Sequence, residues 1–175
     1  AHVNVGAANR QPYANHPYSV TKFPTLTELK AHFNQKIYPR LSPSPLVTTE
    51  GMNIGGEKIF PFTGLNDSLT YFCEESGFWS IYKSDRFGFR NPDENWDKKD
   101  LDIVFLGDSF THGACVDERD TFSGIANSRG LNTVNLGIGG TGPLIHLAAF
   151  REYIVQSGLR PKKVVWVYYA EDTRD

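Results

Sequence analysis

The chain has 175 residues, 39% of them hydrophobic and 22% charged, with a formal net charge of −2. That length fits one ordinary domain, or a small domain with an appendage, and the composition excludes wholesale disorder. No strongly basic block invites nucleic acid, and no apolar run approaches the ~20 residues of a transmembrane helix.

The sequence shows no signal peptide, but it begins at Ala1 rather than Met, as expected where a leader or a tag has been removed. Residues 1 to 24 are rich in Asn, Pro, Tyr and His without a period, and read as an extended arm with solvated His2 and His16. Thr25-Leu-Thr-Glu28 has capping-box spacing, and Leu26, Leu29, Phe33 and Ile37 recur at helical intervals. A helix over about 26–37, closed by Pro39 and carrying a surface His32, is expected. Residues 40 to 66, with Pro43, Pro45, Pro61 and Gly55-Gly56, read as loops with one or two short strands. Leu69–Cys73 and Phe78–Tyr82 are β-prone runs separated by Glu74-Glu-Ser-Gly77, a hairpin signature. Asn91 to Asp100 is charged and contains Pro92, and reads as a linker. It divides an N-terminal arm, helix and hairpin appendage (1–95) from an α/β unit (96–175).

Leu101 to Leu106 is an almost unbroken apolar run, the pattern of a strand buried on both faces. Gly107-Asp108-Ser109 ends it in a compact polar turn, with a helix expected behind. Asp120 to Gly130 reads as a short helix capped by Asp120, and Thr133–Leu136 as a strand running into Gly137-Ile-Gly-Gly-Thr-Gly142. Pro143 then opens a helix with Leu144, Leu147, Ala148, Tyr153 and Val155 as its apolar surface and His146 at its rim. Lys163–Tyr169 is a third β-prone run, followed by Glu171-Asp172. Strand, helix, strand, helix, strand with short connections implies a parallel, doubly wound sheet. Its three polar loops would converge on one edge, where open α/β sheets bind ligands. Cys73 and Cys115 have no metal-ligand spacing and are either bonded, as suits an exported, extracytoplasmic protein, or free and partly buried.

Gly107-Asp-Ser-Phe-Thr-His-Gly113 followed by Asn135-Leu-Gly-Ile-Gly-Gly140 resembles the SGNH (GDSL-type) hydrolases, over residues 101 to 175. The resemblance implies a flavodoxin-like fold and a serine esterase, acyl hydrolase or acyl transferase that needs no cofactor or metal. Its substrates would be small acyl esters, such as O-acetyl groups on carbohydrate. It places the nucleophile at Ser109 and an oxyanion-hole amide at Gly140, with Asp108 and Asp172 on the substrate side. Residues 68–92 are also similar to the piece preceding the motif in some bacterial members.

Two departures accompany it. Glu171 stands where the family has an Asn donor, and a carboxylate there would repel an oxyanion. After Ser109 the histidines are His112 and His146, and no Asp-x-x-His pair follows. The expected sheet is therefore incomplete at its C-terminal side, as in the N-terminal part of a longer protein, and the chain alone would be inactive or weak. Its third strand would be an exposed edge open to homo-oligomerisation. A ligand-binding module without catalysis is the alternative. A nucleotide-binding loop at Gly137–Gly142 fits less well, because its spacing matches neither the dinucleotide fingerprint nor the P-loop.

Overall fold

The computed structural model describes residues 27, 30–31, 36–40, 52–59, 62–73 and 79–169. Two small three-stranded sheets dominate it, each with parallel pairing, together with a separate two-stranded hairpin. The mixed α/β class therefore holds.

The first sheet joins β1 (Tyr38–Pro39), β4 (Leu69–Tyr71) and β5 (Ile81–Lys83) in the order β1-β4-β5. The hairpin expected from 69 to 82 is β4 and β5, antiparallel with Leu69 opposite Lys83 and Tyr71 opposite Ile81. Phe72 N–H to Ser80 O and Ser80 N–H to Cys73 O prolong the ladder past β4. β2 (Met52–Ile54) and β3 (Glu57–Ile59) form the other hairpin around Gly55-Gly56, whose φ angles of +63° and +90° suit glycine. Thr27, Lys30 and Ala31 are helical, but the expected helix to residue 37 stops short. Ile37 is buried beside β1, which pairs parallel to β4 instead of prolonging the helix.

The second sheet holds β6 (Asp100–Gly107), β7 (Thr133–Asn135) and β8 (Arg160–Val167), all parallel, in the order β7-β6-β8. β6 is central, which explains its apolar run: Leu101 and Val104 are fully buried, and Phe105 and Leu106 nearly so. Between the strands lie α1 (Ser109–His112), α2 (Phe122–Ser128) and α3 (Pro143–Phe150), the last continued by a wide π turn over Arg151–Val155. Thr121 rather than Asp120 caps α2, its Oγ1 accepting from the Gly124 N–H at 2.9 Å. Asp120 instead ends a 3-10 turn over Glu118–Asp120.

The core gathers Leu101, Val104, Leu106, Val134, Leu136, Ile138, Ala149 and Ile154 with Phe89 and Trp96. Each large apolar side chain in it contributes on the order of 1.5–3 kcal/mol. Trp96 belongs to the charged segment expected as a linker. That segment is a 3-10 turn (Asp93–Asp97) packed onto the sheet, with Asn95 Nδ2 donating to Thr133 O at 2.8 Å.

Asp85 organises the join. Its carboxylate accepts from the Phe87 and Phe89 backbone N–H groups, Asn91 Nδ2 and Trp96 Nε1, at 2.7–2.9 Å. Arg90 is buried beside it and donates to Glu118 Oε2 (2.6 Å), Gly113 O (2.7 Å) and Val116 O (3.0 Å). Cys73 and Cys115 are disulfide-bonded, tying the hairpin to the loop behind α1. Closing a loop of that length stabilises by about 4 kcal/mol in the chain-entropy account.

Of the residues expected as the apolar surface of the helix that Pro143 opens, Tyr153 packs against the core, but three face outward. Leu144, Leu147 and Val155 are 67%, 54% and 58% exposed, whereas His146, Ala149 and Ile154 are buried. The reason is a polar network under the helix. Trp166 Nε1 donates to His146 Nδ1 at 3.2 Å, and Thr141 Oγ1 donates to Ile138 O and lies 3.1 Å from His146 Nε2. An indole N–H can only donate, so the His146 proton sits on Nε2 and points at Thr141. His146 is a structural histidine, not a rim residue.

Candidate functional site

Parallel pairing brings the carboxyl ends of β6, β7 and β8 to one edge, as expected. Gly107 lies opposite Val167, and Phe105 opposite Asn135. The next strand in the chain lies on one side of β6 and the third on the other. In open α/β sheets such a switch point is where ligands bind, in the crevice above the strand ends. Ser109 lies just past the end of β6.

Local chemistry fixes the serine turn. Gly107 has φ of +151°, and a Cβ there would fall 2.2 Å from Thr111 Oγ1 and 2.7 Å from Val167 O. Asp108 is buried and caps α1, Oδ1 accepting the Phe110 N–H at 2.9 Å. Its Oδ2 lies 3.4 Å from Ser109 Oγ, the sole hydrogen bond of that hydroxyl among the described residues. Ser109 is half-buried, and its neighbour Phe110 is exposed against Tyr169, ring centroids 5.4 Å apart.

The glycine loop after β7 packs directly on α1. A Cβ at Gly137 would meet His112 N at 2.4 Å and Thr111 C at 2.6 Å. Asn135 holds this approach, its Nδ2 donating to Thr111 O (2.7 Å) and its Oδ1 accepting the Gly137 N–H (2.8 Å). Gly139 lies close to the serine: a Cβ added there would stand 3.3 Å from Ser109 Cβ. Gly140, with φ of +80°, is exposed, and its N–H holds no hydrogen bond among the described residues.

His112 is buried and spoken for. Its Nδ1 accepts the Gly139 N–H at 3.3 Å, so its proton is on Nε2, which faces Tyr82 Oη at 3.1 Å. Burial, and then the charges of Arg90 and Arg40, hold its pKa well below 6.5. Burial likewise pushes the Tyr82 phenol up to about 12. Neither His112 nor His146 reaches Ser109 with a free nitrogen. Asp172 and Glu171 lie outside the described residues.

The composition of motifs gave no signal for one participant, Arg40. It follows β1, donates from Nη1 to Gly139 O at 2.6 Å, and lies over the Phe72 ring at 4.4 Å. Among the described residues no group of His, Cys, Asp and Glu could hold a metal ion, and no helix is long and apolar enough to cross a membrane. No family model matches the chain, and neither does a curated protein or a solved structure.

Proposed function

We propose that the crevice is an acyl-transfer site with Ser109 as the acyl acceptor. Ser109 Oγ attacks an ester carbonyl, and its proton passes to a base. The bond to the alcohol then breaks, leaving an acyl-serine for water or a second alcohol. The amides of Ser109 and Gly140 stabilise the oxyanion, each such donor contributing about 10²–10³ in rate. The observation that carries this reading is the approach of the Gly139 position to Ser109, with the next N–H in the chain, that of Gly140, holding no hydrogen bond among the described residues. The sheet order also supports a doubly wound, flavodoxin-like reading, in which the first strand lies between the second and third and the site lies at the switch between first and third. The substrates of this reading are small acyl esters, including acetylated carbohydrate.

The test is incubation with 4-nitrophenyl acetate followed by mass spectrometry of the peptide carrying Ser109. An acetyl group on that serine, absent from Ser109→Ala, is expected. Acetylation spread over surface lysines at equal rates in both proteins refutes the proposal.

A second reading, a binding module without turnover, is favoured by one observation. Both histidines after Ser109 are buried and committed to structural hydrogen bonds, so no described histidine activates the hydroxyl. Ligand binding at the crevice without acetyl-serine would select it.

A further inference from the structure

Arg40 enters the crevice from the N-terminal sheet, across 99 positions of sequence from Gly139. Its backbone N–H is anchored on Tyr71 O at 2.9 Å, so the position is set by the β1–β4 pairing and not by a loose loop. The place where a Gly139 Cβ would stand is 3.1 Å from Arg40 Nη1 and 3.3 Å from Ser109 Cβ. Laid end to end, those distances put the guanidinium within about 6.4 Å of the serine side chain.

Four described arginines are paired with carboxylates, and Arg129 and Arg151, which like Arg40 have no ion pair among the described residues, are exposed. Arg86 binds Asp93 and Asp97, Arg90 binds Glu118, Arg119 binds Asp117, and Arg160 binds Asp100. Arg40 is half-buried, yet among the described residues no carboxylate reaches it. One carbonyl and one aromatic face are its partners there, and burial lowers its pKa while Tyr82 opposes the shift. Nη1 is engaged, while Nε and Nη2 hold no hydrogen bond among the described residues. A partly desolvated guanidinium with free donors is costly unless an anion completes it, and its planar fork suits carboxylate and phosphate.

We infer that Arg40 reads an oxyanion group on the ligand, so that the molecule presented to Ser109 carries a carboxylate or phosphate within a few ångströms of its reacting carbonyl. This rests on the acyl-transfer reading for the role of Ser109, but anion binding itself does not require turnover.

The test is an NMR titration of the ¹⁵N-labelled chain, read at the Gly139 and Gly140 amides, with glucose, glucuronate and inorganic phosphate as probes. Wild type and Ser109→Ala are expected to respond alike to an anion and not to glucose. Arg40→Gln weakens that response roughly tenfold or more, and Arg40→Lys, which retains the charge, keeps part of it. Glucuronate acting more strongly than phosphate assigns a carboxylate-bearing ligand; the reverse assigns a phosphorylated one. Equal responses to glucose and glucuronate, or an anion response unchanged in Arg40→Gln, overturn the inference. The wild-type comparison decides it even where the variants fail to fold. Anion binding that survives in a chain showing no acetyl-serine would separate this inference from the catalytic one.

Discussion

The Gly139 N–H donates to Nδ1 of His112, three residues beyond Ser109, and this bond ties the glycine loop after β7 to the helix that carries Ser109. Protonating the imidazole would remove the acceptor and place a charge beside Arg90 and Arg40. The folded-state pKa is depressed from 6.5, so the unfolded chain binds a proton that the folded chain refuses. The stabilisation is complete above that value and is lost as pH falls below it, at up to about 1.4 kcal/mol per pH unit. Urea denaturation from pH 7 to pH 5 measures this, and His112→Gln should flatten the dependence. An unchanged slope in the variant rejects the assignment.

Ser109→Ala should separate chemistry from stability. The hydroxyl has one long contact, 3.4 Å to Asp108, and the residue is half-buried. Its loss should change unfolding free energy by no more than about 0.5 kcal/mol while abolishing acetylation by nitrophenyl acetate. A large drop in melting temperature would give the serine a structural role instead.

Asp85→Ala should be among the most damaging single changes. It strands two backbone N–H groups, the Trp96 indole and one donor of Asn91 in a buried setting. The expected cost is on the order of 3–5 kcal/mol by chemical denaturation. A loss below about 1 kcal/mol would mean that water replaces the carboxylate there.

Two glycines form a matched pair. Gly130 has φ of +81° with nothing within 4 Å of an added Cβ, whereas at Gly137 the Cβ would run into the backbone of Thr111 and His112. Gly130→Ala should cost about 1–2 kcal/mol from backbone strain. Gly137→Ala should cost at least as much and also disturb the Ser109 and Gly140 amide resonances, because α1 must move. Equal spectra for the two variants would argue against the tight packing of loop on helix.

Much of the second sheet was legible because buried parallel strands leave long apolar runs and their ends leave glycine. Leu101–Leu106, the Gly107–Ser109 turn and the hairpin near residue 70 all come from such local signals. The orientation of α3 was not legible. Leu144 and Leu147 look like core residues by type, and the contacts of His146 with Thr141, five positions back, and with Trp166, twenty positions on, turn the other face inward. Trp96 was hidden among charges for the same reason: its partner Asp85 is eleven positions away. Arg40 carried no motif, since its meaning comes from Gly139 and Phe72 meeting it in space.

The disulfide has a topological consequence. Arg40 and Phe72 precede Cys73 in the chain, Ser109 lies between Cys73 and Cys115, and Gly139 follows. A single proteolytic nick between Cys73 and Ser109 would put the arginine on one polypeptide and the serine with its glycine loop on another, still one covalent molecule. The crevice would then belong to a two-chain form, and a thiol reductant, harmless to the intact backbone's connectivity, would become the agent that releases its halves.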